Sequence, residues 1–379
     1  PDAFPGWAMA MPASATPDVG KPLNRFVNFL RHDEILGLFN VQELTRSLSG
    51  LLDYPIEFAE GVLRTGEGSL GIGPVPWTML LAVGGVFGWR LGGWRLALLT
   101  AGSVFYFAAI GAYEDAMETL AVVAVAAPVA VLTGFALGLF AVRKRWFEKI
   151  LIPFLNVLQT FPHFSYLLPV VVFVGLFGRA GVIATMIFAF PPMARLTIVG
   201  MQGIPPDVIE AGTMSGATSW QILRKVELPA ARRALMVGVN QVVMSSLAMI
   251  VIASLIGTSG LGLTLRQRLR SLDIGVALQI GIAVVLMAIT LDRLSQAWAK
   301  GEPQYRRELP FVRRFKYLLL AFGFGIATFM ASQMFDSMSV YPRHWQLSFA
   351  DEVDGFVRWM ATSLPVESTK NWLLFNLLL

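Results

Sequence analysis

The sequence contains no cysteine, and its three histidines, His32, His163 and His344, lie far apart. Without cysteine there is no disulfide framework and no thiolate chemistry, and no metal-binding pattern stands in its place. Charge is also scarce: 15% of the 379 residues are Asp, Glu, Lys or Arg, against about 25% in an average soluble domain. No Gly-x-x-x-x-Gly-Lys-Ser/Thr pattern occurs, so the chain carries no P-loop. The first residue is Pro1, and no signal-peptide pattern follows it. Acidic residues are nearly missing from the apolar stretches, and Glu118 and Asp292 fall near their ends. A membrane enzyme would need clustered His, Asp, Glu or Cys at membrane depth. An ion-coupled carrier or a channel for small organic cations would need buried carboxylates or charge rings.

What is present is apolar. Hydrophobic residues make up 55% of the chain, and mean hydropathy is +0.62. Eight apolar segments stand out, at about 75–89, 94–112, 116–141, 150–177, 180–200, 234–256, 275–292 and 317–335. This is the pattern of an all-α polytopic membrane protein with about eight spanning helices. The net charge of +5 and the pI of about 9.6 do not point to nucleic acid. The basic residues cluster at the ends of apolar segments, which positive-inside topology in a lipid bilayer explains. The loop VRKRWFEK (142–149) is then cytoplasmic, as are 201–233 and 293–316. The acidic stretches YEDAME (113–118) and ADEVD (350–354) face outward, together with residues 1–74. Arg266, Arg268 and Arg270 depart from the trend by falling outside. They would either attract an acidic partner lobe or pair with nearby acidic loops. Within residues 1–74, the periodicity of 40–63 (Val41, Leu44, Leu48, Leu51, Leu52) predicts an amphipathic helix on the membrane surface. The chain closes on WLLFNLLL, too short to span, and both ends are expected to be incomplete.

One polar stretch between apolar segments has its own pattern, EAGTMSGATSWQILRKVELP (210–229). Pro206 and Asp207 suit a helix start. Thr218 and Gln221 have capping-box spacing. Leu228-Pro229 would close the second helix. The reading is helix, glycine break, helix, stop, with Ala211, Gly212 and Gly216 leaving room for a partner backbone to approach. An ordinary surface loop is the alternative from physics alone.

Those residues carry a resemblance. Glu210-Ala211-Gly212, then Gly216, then Val226-Glu227-Leu228-Pro229, resemble the EAA loop of ABC-importer permeases, with Gly212 where Ala is usual. LQTFPHFSYLLPVVVFVGLFG (158–178), IFAFPPMARLTIVGMQGIP (187–205), VNQVVMSSLAMIVIASLIGTSGLG (239–262) and LDIGVALQIGIAVVLMAITLDRLSQ (272–296) are similar to permeases of glycine betaine and proline betaine importers. The similarity spans about 75–300. It implies a type I importer fold in the bacterial inner membrane, with Glu210, Ala211, Gly212, Gly216, Leu228 and Pro229 coupling to a cytoplasmic ABC ATPase dimer. It also implies an extracytoplasmic substrate-binding protein and a second permease unit, as a homodimer or a fused half. No cofactor is expected on this chain, and ATP and magnesium belong to the partner ATPase. The implied substrates are betaine-type solutes: glycine betaine, proline betaine, choline or trimethylamine N-oxide. Residues 301–349 are read as a linker and an extra span, and 350–379 as the start of a second unit.

For the translocation path, prolines inside apolar stretches supply kinks, with Pro162 and the Pro191-Pro192 pair placed first. Aromatic faces hold methylated ammonium groups by cation–π attraction. Polar side chains at membrane depth face a cavity or bond a neighbouring helix. These criteria select Phe161, Pro162, Tyr166, Phe190, Pro191, Asn240, Ser245 and Ser246 as candidates. His163 is read as a packed residue and not as a proton relay.

Overall fold

The computed structural model describes residues 50–65, 74–175, 178–300 and 311–363, and no strand occurs among them. Helix α1 spans Asp53–Glu60 and runs into a π turn, Gly61–Thr65. Helices α2 (Trp77–Gly92) and α3 (Trp94–Ala109) form an antiparallel pair. Gly93 alone joins them, at φ +76°. That left-handed conformation is open to glycine at little cost and reverses the chain within one residue.

Next come α4 (Tyr113–Arg143), α5 (Arg145–Thr160), α6 (Phe164–Val174) and α7 (Gly178–Gln202). Short α8 (Pro206–Met214) and α9 (Ser219–Ile222) precede a π turn, Leu223–Glu227, and α10 (Leu228–Ala253). After α11 (Leu261–Arg270) and α12 (Ile274–Lys300) come α13 (Phe311–Met334), α14 (Asp336–Ser339) and α15 (Ala350–Ser363).

The core forms where α7 packs between α4 and α10. Lipid tails are as apolar as leucine, so close packing of small residues must hold such helices together. Ala130, Gly134 and Gly138 recur every fourth residue on α4. A Cβ at Gly134 would lie 2.6 Å from the Phe190 carbonyl oxygen. One at Gly138 would lie 2.7 Å from that of Ala194. The α4 backbone therefore rests directly on α7. On the other flank, a Cβ at Gly238 of α10 would lie 2.7 Å from Met193 Sδ.

The two ends of the bundle differ in charge. Arg143, the basic loop after it and the α8–α9 segment meet at one end. Arg95 and Arg293 line one surface depression there, which puts the α2–α3 turn at the same end. At the opposite end, Thr264 donates to Asp115 at 2.6 Å, and Gly275 N–H donates to Asp354 at 2.8 Å. The loops that the charge pattern assigns to one side of the membrane thus gather at one end of the bundle.

Two expectations about the spans need correction. Among the described residues, five helical stretches are long and apolar enough to cross a membrane: Tyr113–Arg143, Gly178–Gln202, Ser219–Ala253, Ile274–Ala299 and Lys316–Met334. Helices α2 and α3 have only 16 residues each. The apolar run 150–177 is not one helix. It breaks at Phe161–His163, because Pro162 cannot supply the amide hydrogen a continuing helix needs. The predicted surface helix over 40–63 overlaps α1, which packs against α4 and buries Ile56; positions 40–49 lie outside the described residues.

Candidate functional site

The segment after α7 is anchored at its base and bare at its tip. Helix α8 begins with Pro206 in its first turn, where a missing amide costs nothing, and Asp207 faces the helix's positive end. It ends before Gly216, at φ +75°, where a Cβ would meet nothing within 4 Å. Backbone conformation, not crowding, is what selects glycine there. Thr218 then caps α9: its amide donates to Gln221 Oε1 at 2.9 Å, and its hydroxyl accepts from the Gln221 amide at 3.4 Å. This is the expected capping box.

The stop expected at Leu228-Pro229 is not there. The π turn Leu223–Glu227 carries the chain straight into α10, and Pro229 sits in that helix's first turn. A π turn pairs residues five apart, and proline is tolerated in a first turn, so the dipeptide opens the span instead of closing the segment.

Burial separates base from tip. Leu223 is buried in the main core. Glu227 is buried too, and accepts a hydrogen bond from Arg143 Nη2 at 2.6 Å. Arg143 ends α4, where a cation also suits the helix dipole. At the tip, Glu210, Ala211 and Gly216 are exposed. So are Met214, 88% exposed, and Trp220, 66% exposed. A Cβ at Gly212 would stand 3.4 Å from Val226 Cγ2, an ordinary contact, so the space also accepts alanine.

Sequence pattern alone singles out neither the Arg143–Glu227 pair nor the Met214 and Trp220 side chains. A tryptophan in a short polar stretch was the available signal for the tip. The ion pair joins residues 84 positions apart, and no local pattern reveals it.

The path candidates divide. Phe161 and Pro162 are exposed at the α5–α6 break. Asn156, Gln159, Thr160, His163 and Ser165 are exposed along the same stretch, a concentration of polar groups in an otherwise apolar molecule. His163 packs its ring on Phe188 with centroids 4.6 Å apart, yet it is exposed and not enclosed. Phe190, Pro191 and Ser246 are buried in the packed interior. Asn240 is half-buried and accepts a hydrogen bond from Ser295 of α12, and Ser245 is half-buried. The Tyr166 side chain lies outside the described set. At the acidic end, Arg268 pairs with Asp273 at 3.2 Å, and Arg270 is exposed.

Comparison with known proteins matches residues 130–301 to the family described as binding-protein-dependent transport system inner membrane component. A trimethylamine N-oxide transport system permease of Ruegeria pomeroyi is 39% identical over 97% of this chain and 55% of its own length. The glycine betaine/proline betaine transport system permease of Escherichia coli is 41% identical over 59% of this chain and 63% of its own. The glycine betaine transport system permease of Bacillus subtilis is 34% identical over 68% of this chain and 90% of its own. The chain spans about half the length of the first two trimethylamine N-oxide permeases it matches, at 55% and 50%. The match fits the permease reading and not the ion-coupled carrier. With its helical architecture and long apolar spans, this chain belongs to the family of binding-protein-dependent transport system inner membrane components, as a multi-pass protein of the inner membrane.

Proposed function

We propose that this chain forms part of the translocation path of an ATP-driven type I importer for small N-methylated solutes. Its α8–α9 tip docks on a cytoplasmic ABC ATPase dimer. The observation that carries this is the contrast within residues 206–229, where Leu223 and Glu227 are held in the core while Glu210, Met214 and Trp220 stand bare. A segment fixed at one end and unpartnered at the other suits transmission of a push. Exposed aromatic and methionine side chains are frequent anchors at protein interfaces.

ATP and magnesium bind on the ATPase, and this chain holds no cofactor of its own. Glu210, Ala211, Gly212 and Gly216 form the docking surface, while Leu228 and Pro229 start the helix that receives the motion. A second permease unit, a separate copy or a fused half, covers the polar face of α5–α6. The exposure of Asn156, Gln159, Thr160, His163 and Ser165 supports that placement. Phe161, Pro162, Asn240 and Ser245 are then the candidates nearest the path. A substrate-binding protein delivers solute at the acidic end, where exposed Arg270 can meet an acidic lobe. Trimethylamine N-oxide is the first substrate to test, since the relative named for it aligns with 97% of this chain.

The test is reconstitution of the full-length protein with its ATPase and binding protein in liposomes. Labelled trimethylamine N-oxide and glycine betaine should enter only with ATP. Glu210→Lys and Gly216→Val should lower solute moved per ATP while leaving membrane insertion intact. Uptake without ATP, or normal transport by both variants, refutes the reading.

A further inference from the structure

Helices α2 and α13 lie outside the stretch matched by the family, and α13 packs mainly on α2. Between them runs a groove of about 440 Å³ lined by Met79, Val83, Phe322 and Ile326, without a charged side chain. At its acidic-end mouth it meets a second cavity of about 560 Å³ of a different character. Val75 and Phe329 line both. The second cavity is walled by Trp77, Tyr341, Gln346, Glu114, Arg64 and Arg343. Its floor is fixed by the strap after α13. Trp77 Nε1 donates to the Ser337 carbonyl at 3.2 Å, and Thr78 Oγ1 to that of Met338 at 2.9 Å. The Trp77 and Tyr341 rings meet edge to face at 5.2 Å.

The charges in the polar cavity are of both signs. Arg64 is engaged by Glu118 at 3.0 Å. Arg343 is exposed and makes no ion pair among the described residues, and Glu114 is likewise exposed. An apolar groove that opens onto a guanidinium, a carboxylate and two interfacial aromatics matches one molecule end to end. We propose that this is a binding site for a zwitterionic phospholipid of the extracytoplasmic leaflet. One acyl chain lies in the α2–α13 groove. The headgroup phosphate faces Arg343, and a primary ammonium group faces Glu114. Guanidinium groups bind phosphate by charge-assisted hydrogen bonds, and tryptophan and tyrosine favour this depth of the bilayer. The site is independent of the transport reading and would stand if the substrate were another.

The test uses the full-length protein in nanodiscs and phosphatidylethanolamine carrying a diazirine in its acyl tail. Diacylglycerol with the same tail serves as the headgroup-free comparison. Photolabelling should concentrate on peptides covering Met79–Val83 and Leu318–Phe329, with phosphatidylethanolamine labelling at least five-fold more than diacylglycerol. Arg343→Glu should abolish that preference and leave diacylglycerol labelling unchanged. Ala321→Phe, which fills the groove, should reduce both. Even labelling along the lipid-facing side of α13, or equal labelling by the two probes, overturns the proposal. Displacement of the label by millimolar glycine betaine also overturns it, by assigning the polar cavity to a soluble solute. Elution volume in size-exclusion chromatography shows that the variants remain folded.

Discussion

Arg143 Nη2 lies 2.6 Å from Glu227 Oε2 and ties the last turn of α4 to the base of the docking segment. The carboxylate side is almost sealed, with Glu227 at 7% exposure, while Arg143 keeps 45%. Removing the arginine alone strands a buried carboxylate. Arg143→Met should therefore cost about 1–3 kcal/mol. The double variant Arg143→Met/Glu227→Leu should recover most of that loss. Thermal unfolding in detergent measures both, and equal loss in the single and double variants would show that the pair is not what stabilises this junction.

Two glycines of the segment should respond in opposite ways. Gly216 holds φ +75°, and a β-carbon in that conformation costs about 1–2 kcal/mol, less for asparagine. Gly216→Ala should therefore be worse than Gly216→Asn, although both side chains have open space. Gly212 lies inside α8, where an added methyl makes ordinary contact with Val226. Gly212→Ala should be neutral or stabilise by up to about 1 kcal/mol, from helix propensity. Unfolding midpoints of the three variants rank them.

The tip should be separable from stability. Met214 and Trp220 touch solvent over most of their surface, so Met214→Ser/Trp220→Ser should shift stability by under about 0.5 kcal/mol. The same pair should weaken ATPase association at least tenfold, or about 1.4 kcal/mol. Pull-down at graded ATPase concentration reads the affinity, and unchanged binding would remove these side chains from the interface.

The α4–α7 seam leaves no room for a larger residue. Gly138→Leu must push its side chain into the Ala194 carbonyl and Thr197, and should sharply reduce folded protein recovered from membranes. Gly102→Leu, on α3 with nothing near its would-be Cβ, is the matched control and should be recovered normally.

Acidity should tighten the packing of α1 on α4. Burial, and secondarily Glu118, raise the Glu60 carboxyl above its usual value of 4.5, against the pull of Arg64. The folded state thus favours the neutral form. Its stabilisation is complete below about pH 4.5 and is lost as pH rises through the raised folded value. Glu60→Gln should remove this component and raise protection of residues 53–65 at neutral pH. Hydrogen exchange at pH 5 and 7.5 in the two proteins measures it, and identical pH dependence would contradict it.

How much could be read in advance depended on the range of the interaction. The long spans follow from apolar runs, and the grouping of loops at each end from the placement of charge. The capping box at Thr218 and Gln221 is contained within four residues, so spacing alone reveals it. Pro162 is legible as a kink, but proline permits a kinked continuous helix as well as a full break, and only the structure shows the break through Phe161–His163. Leu228-Pro229 misled because the same dipeptide closes one helix or opens the next, and only the π turn before it decides which. Phe190 and Ser246 were drawn toward the path by their chemistry, whereas tertiary packing encloses them. The Arg143–Glu227 contact and the α2–α13 groove arise between distant segments, and no periodicity encodes them.

The π turn that opens α10 has a mechanical consequence. Because it does not interrupt the helix, Ser219–Ala253 is one rod of 35 residues, roughly 50 Å long at 1.5 Å per residue. Pivoting about its Ser219 end, such a rod moves its far end by about 1 Å for each degree of tilt over roughly 50 Å. Small rotations at the membrane surface are thereby amplified at the opposite face, where Ala253 packs beside Ala180 and Val170.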